Sequence, residues 1–403
     1  MATIQSDSKN ALVVNPENFA KIKKLGAFDV TACFSCGQCT VSCPLSVSGN
    51  EFPRKLIRYA MLGLNDKLLS QPEPWLCYYC GDCSESCPSQ ADPGGFMMAV
   101  RRHAIIEYSV GKVAKFFYEK LPAMFAYLVL TLFAIAAIWF FSNGLDFNHV
   151  DLDRFDSYSF VHEEAIHIVG TALALFIFTI ALIQAVNIIR HLAKNGQTPP
   201  NMPLSEKIFA IIKSFIKTGI FEGIFEKRFY DCDSKARYIA HMTIFWGFVF
   251  MGVSTSIIFI IDVILFYNLL GPTTETIIDR DIFKLIGKIL GVVGGILLIY
   301  GTGYYIIKRL IKDDDYSKNS HFSDWIFLLL AFFLGITGFI MNLFIFILID
   351  MLIFAYVMYA IHIILAFLLV ITATFTKFVH MEYRLLSVWF NEYQRIVNPP
   401  VET

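Results

Sequence analysis

The chain has 403 residues, 56% of them hydrophobic, with 39 Phe and a mean hydropathy of +0.57, which is too apolar for an ordinary soluble protein. Its 33 Lys and Arg stand against 34 Asp and Glu for a net charge of -1, so nothing in the balance points to nucleic acid. The opening MATIQSDSKNALVVN lacks the basic start, apolar centre and small-residue cleavage site of a signal peptide. The N-terminal part is therefore expected in the cytoplasm, where thiols stay reduced and clustered cysteines serve as metal ligands before they serve as disulfides.

The first predicted unit, residues 1–115, is a cytoplasmic helical ferredoxin-like head. It holds two copies of one pattern, CFSCGQCTVSCP from Cys33 and CYYCGDCSESCP from Cys77, each reading C-x2-C-x2-C-x3-C-P. In such runs three thiolates take three corners of an iron-sulfur cube, and the fourth, fixed by the following proline, serves the other cube. The expected ligand sets therefore cross. One is Cys33, Cys36, Cys39 and Cys87; the other is Cys77, Cys80, Cys83 and Cys43. Zinc is the alternative metal, but it favours two well-separated ligand pairs. Between the runs, EFPRKLIRYAMLGLNDKLL places Phe52, Leu56, Tyr59, Ala60 and Leu64 along one side of a helix, which favours a helical head over a compact β-rich one.

Composition shifts near Pro122, and residues 116–390 are read as a mainly α membrane domain. Six apolar helices, at about 122–142, 162–190, 238–268, 284–307, 324–346 and 351–378, approach the roughly 20 residues that cross a bilayer. The second loop carries Lys194, Lys207, Lys213, Lys217, Lys227, Arg228, Lys235 and Arg237, whereas the first holds only Arg154 among its aspartates. The loop with Lys308, Arg309, Lys312 and Lys318 agrees, as does the basic run Arg101, Arg102, Lys112, Lys115 and Lys120 before the first span. By the excess of Lys and Arg in cytoplasmic loops, both termini face the cytoplasm and the chain lies in the cytoplasmic (inner) membrane, with 391–403 as a cytoplasmic tail. Within segment 195–235, Ile208, Ile211, Ile212, Phe215 and Ile216 share one helical face, for which the membrane interface and the head are alternative partners. Cys232 stands alone and is expected to be an ordinary buried or interfacial cysteine.

Imidazoles inside a helical bundle are costly without a partner. His241 opens the third span, and His362 and His380, eighteen residues apart on the last, are predicted to share a face about 27 Å apart. A b-type haem needs only axial ligands from facing helices. His241 and His380 fall at similar depth and form the first pair; His362 with His167 of the second span is the preferred second pair, Met251 being the other facing group. His149 and His162 are expected outside, and His103, His191 and His321 at the cytoplasmic surface.

At this point the residues resemble known families. The two cysteine runs, at about 30–108, resemble the C subunit of heterodisulfide reductases, a helical ferredoxin with two [4Fe-4S] clusters. Residues from about 160 to 390 resemble the gamma subunit of respiratory nitrate reductase, whose last helix carries two haem-ligating histidines spaced as His362 and His380 are. In that pattern a second histidine follows ten residues after the first on the helix matching the third span; here that position is Met251. The order of the parts is similar to the C subunit of the quinone-interacting membrane-bound oxidoreductase complex.

This resemblance implies a menaquinone-linked complex with two soluble flavin- and iron-sulfur-containing subunits, exchanging electrons with adenylylsulfate reductase in dissimilatory sulfur metabolism. The expected function is electron transfer between the quinone pool, haem b and two [4Fe-4S] clusters. An iron-sulfur anchor without haem, an electron-transfer subunit for another soluble partner, and a transporter with a redox regulator are the rivals.

Overall fold

The computed structural model describes residues 13–46, 51–143, 150, 153, 155–195, 202–230, 234–266, 280–312, 320–346 and 351–399. Among them all regular structure is helical. The expectations on His149, Arg154, Cys232 and Lys318 lie outside the described residues.

The head runs through α1 (Glu17–Lys24), a 3-10 turn, α2 (Gln38–Ser42), α3 (Arg54–Met61), α4 (Asn65–Leu69), α5 (Glu73–Leu76), α6 (Asp82–Glu85) and α7 (Pro93–Tyr108). Asp92 caps α7 by accepting from the Gly95 amide, and Pro93 fits the first turn because its missing N–H would find no helical partner there. That helix is buried nearly all round, and its Phe96 and Met97 share one core with Phe52, Leu56, Ile57, Leu68 and Trp75. The helical segment expected between the cysteine runs is present as α3, with Leu56 and Ala60 on its covered side. His103 departs from its expected place at the surface. It lies on α7, only 2% exposed, with Nε2 2.8 Å from Asn65 Oδ1, because the central helix of so small a unit has no solvent face.

The second part comprises α8 (Ala114–Glu119), α9 (Leu121–Asn143), α10 (Ser157–Phe160), α11 (Glu163–Asn195), α12 (Leu204–Thr218) prolonged by a wide π turn (Gly219–Ile224), α13 (Lys227–Tyr230), α14 (Lys235–Phe266), α15 (Arg280–Ile311), α16 (Phe322–Phe346), α17 (Leu352–Thr372) and α18 (His380–Val397). Five of them, α11 and α14 to α17, carry stretches long and apolar enough to cross a membrane. A sixth is reached if Val110–Glu119 and Met124–Ala137, bent by 113°, count as one span. Large side chains such as Phe133 and Phe178 point outward, as lipid-facing residues do. The backbones of α14 and α15 touch: a Cβ on Gly247 would stand 2.9 Å from the Gly294 carbonyl, so only glycine admits this approach.

The last predicted span is not one rod. α17 ends at Thr372, 3-10 turns cover Ala373–Phe375 and Lys377–Val379, Thr376 is extended, and α18 starts at His380. The run TATFT explains the break, since β-branched Thr is a weak helix former and Thr372 Oγ1 bonds back to the Leu368 carbonyl at 2.7 Å. Lys377 then turns inward to Asp324 of α16 at 2.7 Å. His362 and His380 therefore do not share one continuous helical face.

Beyond the break, α18 lies under the head. Tyr383 meets Trp75 edge-on at 5.4 Å, and Arg384 Nη1 donates to the Trp75 carbonyl at 2.5 Å. α12 lays Ala210, Ser214 and Thr218 on its covered side, with Lys217 paired to Glu392 of α18 at 2.6 Å. Its Ile208, Phe209, Ile212 and Phe215 stay exposed, so of the two partners weighed for that face the head is not the one that covers it.

Candidate functional site

The two cysteine runs fold alike. Ser35 (φ 61°) and Gly37 (φ 90°) in the first match Tyr79 (φ 55°) and Gly81 (φ 107°) in the second, and each pair of left-handed residues brackets the second cysteine of its run. This coils the chain so that its thiols converge, and the glycines carry the larger φ at no steric cost. Short helices follow each turn, α2 and α6, and Ser42 Oγ meets Ser86 Oγ at 2.9 Å across the two. Backbone amides already aim at sulfur: Tyr79 N–H at Cys77 Sγ (3.3 Å) and Ala91 N–H at Cys87 Sγ (3.4 Å).

Electrostatics set several of these thiols apart. Burial first, then Cys33, with smaller effects of Cys36 and Cys87, pushes the Cys39 thiol up. Burial and the neighbouring Cys77 push Cys43 up to about 11, and burial with Cys77, Cys80 and Cys43 raises Cys83. Cys39 thus senses Cys87 of the other run, and Cys83 senses Cys43. Cys87 itself is lowered, because the Ser89 hydroxyl and the amides of Ala91, Ser89 and Gln90 outweigh its burial. Among the described residues no three His, Cys, Asp or Glu side chains close to single-ion spacing. The donors are all sulfur and all unbridged, and their mutual repulsion as thiolates is what a bound cationic cluster relieves.

The second run faces the membrane part. Arg101 of α7 donates to the Pro74 carbonyl at 2.5 Å and also to that of Cys77. Arg237 of α14 donates to the carbonyls of Tyr79 and Tyr78 at 2.6 and 2.7 Å. The Arg384 guanidinium lies 3.7 Å over the Tyr78 ring. Three arginines from three helices thus clamp this turn, whereas in the sequence Arg101 and Arg237 read only as charges that set orientation. Nothing local in the sequence marks them, since their partners are main-chain atoms far away in the chain.

Beneath the clamp lies a cavity with about 1480 Å³ of space between atoms, its mouth included. Cys77 and Tyr78 line it together with His241, His380, Phe245, Phe248 and Phe378. His380 Nδ1 lies 2.6 Å from the Lys377 carbonyl, so the tautomer that donates there leaves Nε2 as an acceptor. Burial foremost, then His241 alongside, pushes His380 down to about 3, which keeps the ring neutral. His241 Nε2 sits 3.1 Å from Glu226 Oε2. Burial opposes the Glu226 charge, yet His241, Arg384 and His380 hold its carboxyl below the usual range. As a donor set, two imidazoles lining one cavity, His380 with Nε2 left to accept, suit an iron centre provided that His241 turns from Glu226.

The other two histidines are turned elsewhere. His362 Nδ1 is 3.1 Å from Thr337 Oγ1 and its ring lies against Gly338 of α16. His167, 3% exposed, meets Phe259 of α14 edge-on at 5.9 Å.

Comparison with known proteins places the head. Residues 29–91 match the model of the 4Fe-4S dicluster domain. A protein of Archaeoglobus profundus described as similar to the C subunit of heterodisulfide reductase is 41% identical over 94 residues, 23% of this chain and 50% of that one. The C subunits of the H(2):CoB-CoM heterodisulfide,ferredoxin reductases of Methanothermobacter thermautotrophicus and Methanothermobacter marburgensis are each 42% identical over 66 residues, 16% of this chain and 34% of theirs. The chain thus spans half the length of the first relative and about a third of the others. No solved structure matches it.

Proposed function

We propose that the chain is the membrane subunit of a quinone-linked oxidoreductase, in which electrons cross between quinone in the bilayer and soluble partners beyond the head. The observation that carries this reading is the cavity lined both by the Cys77 turn and by His241 and His380. Cys33, Cys36, Cys39 and Cys87 hold one [4Fe-4S] cluster, and Cys77, Cys80, Cys83 and Cys43 the other. Cys87 lies near Cys39, and Cys43 near Cys83, as this crossing requires. His241 and His380 hold haem b. When bound, the cubes and the haem iron each exchange single electrons. The chain's own part is to fix them: the arginine clamp holds the Cys77 turn against the cavity, and the Lys377 carbonyl orients the His380 ring.

The reading extends to a second haem on His362 and His167, carried by the sequence alone. A haem-to-chain ratio of two tests it, and a ratio of one confines haem to His241 and His380. Menaquinone as substrate, two soluble flavin- and iron-sulfur-containing subunits, and adenylylsulfate reductase as electron partner rest on the order of the parts along the chain. The lysine-rich loops support a cytoplasmic position for both termini. The heterodisulfide reductase relatives equally support electron transfer to a partner of that type.

One contact favours a second reading, an iron-sulfur anchor without haem: Glu226 already occupies His241 Nε2. Reduced-minus-oxidised spectra of the purified chain decide between the two. The first reading expects b-type bands that vanish in His380→Ala and in His241→Ala. A blank wild-type spectrum with iron retained leaves the anchor.

A further inference from the structure

His380 separates two cavities. On the side away from the Cys77 turn lies a second one, with about 1120 Å³ of space between atoms, mouth included. Both are lined by Phe245, Phe378, His380, Met381 and Arg384, so the partition is a single layer of side chains. The second cavity is walled by Ile177 and Ala181 of α11 and by Leu385 and Val388 of α18, with the carboxylates of Glu222, Glu226 and Glu382 also in its lining. Its lining is mostly apolar, and α11 is a membrane span, so a long hydrocarbon tail entering here can continue into lipid.

Its polar end has unspent hydrogen-bonding capacity. The break after α17 presents Thr374, which is 4% exposed and whose Oγ1 has no hydrogen-bond partner among the described residues, although Thr372 two residues earlier bonds back to its own helix. Arg384 Nη2 also lacks a hydrogen bond; its nearest carboxylate, Glu222, stands at 3.9 Å and is engaged by Arg228 at 3.3 Å and by the Tyr78 hydroxyl at 2.9 Å. Buried polar groups are as a rule paired, and among the described residues Thr374 and Arg384, two donors left over beside the Glu226 carboxylate, call for a ligand with acceptors. An acyl chain offers none. A quinone offers a flat apolar ring, two carbonyl acceptors and a hydrocarbon tail.

We propose that this cavity is the quinone headgroup site, with Thr374 and Arg384 donating to the ring carbonyls and Ala181 and Val388 flanking the ring. The proposal rests on the quinone-linked reading above and adds the place. It sets the headgroup in a cavity that His380 itself lines, one layer of side chains from the cavity of the Cys77 turn.

The test uses the full chain, purified in detergent with its iron and pigment, and a short-tailed azido-naphthoquinone as photoprobe. The expected label falls on residues 374–388 or 177–181 and is displaced by unlabelled short-tailed menaquinone. Thr374→Val, which keeps the shape and removes the hydroxyl, weakens that displacement about tenfold. Ala181→Trp fills the cavity and abolishes labelling, while iron content and the b-type spectrum stay as in wild type. Label elsewhere in the chain, or label indifferent to Ala181→Trp, overturns the proposal and leaves the quinone-linked function standing. No displaceable label at all sinks both. A missing b-type spectrum with label in place sinks only the haem reading.

Discussion

Arg102 of the head and Asp324 at the start of α16, 222 positions apart in the chain, meet at 2.8 Å with side chains only 9% and 6% exposed. Lys377 reaches the other oxygen of Asp324 at 2.7 Å, so one carboxylate ties the head, one span and the break in another. Asp324→Asn strands two cations and is expected to cost about 3–5 kcal/mol, because a buried charge without its partner keeps its desolvation penalty. Thermal unfolding of the purified chain reads this as a lower Tm, and an unchanged Tm would take the ion pair out of the account.

The crossing of the ligand sets is tested by single substitutions. Cys43→Ser is expected to remove the cluster of the second run, and Cys87→Ser that of the first. In each case non-haem iron falls from about eight to about four per chain, and one of two electron paramagnetic resonance signals survives. Loss of the signal of the run that contains the substituted cysteine, with the other intact, would show that the sets do not cross.

Arg237 supplies two charged hydrogen bonds to the Cys77 turn, and each such bond is worth about 1.5–3 kcal/mol. Arg237→Gln is therefore expected to make the cluster of Cys77, Cys80, Cys83 and Cys43 the more labile one. Chelator-driven iron loss should become biphasic, the fast phase carrying half the iron. A single phase as in wild type would mean that the clamp has no hold on the cluster.

His103 gives the head a pH dependence. Burial is the main reason that it is pushed down to about 4, against a neighbouring Glu107 that acts the other way. Its unfolded value is about 6.5, so between these limits the unfolded chain binds the extra proton. Head stability should be full above about pH 6.5 and fall toward pH 4, by at most about 1.4 kcal/mol per pH unit. His103→Asn should flatten that slope in denaturant titrations at pH 5, 6 and 7; an identical slope would assign it to another group.

The cysteine turns were legible because their chemistry is local: three residues fix each sulfur spacing, and glycine marks the left-handed position. The apolar helices were legible by length and composition. The break at Thr372–Thr376 was not, since a run of threonines in an apolar stretch is tolerated in a span until a tertiary partner, here Asp324 pulling on Lys377, selects the unwound form. The burial of His103 was hidden for a related reason: a single histidine among arginines reads as surface until the packing of α7 is known. The uses of Arg101, Arg237 and Arg384 lie in main-chain acceptors, which no sequence pattern announces.

The helix that begins with His380 also carries Tyr383 and Arg384 into Trp75 of the head. It behaves as a lever with the imidazole at one end and the seat of the ferredoxin unit along its shaft. Cutting away residues 1–115 would take Trp75 from beside that shaft, so the seat of the imidazole is built partly by the head.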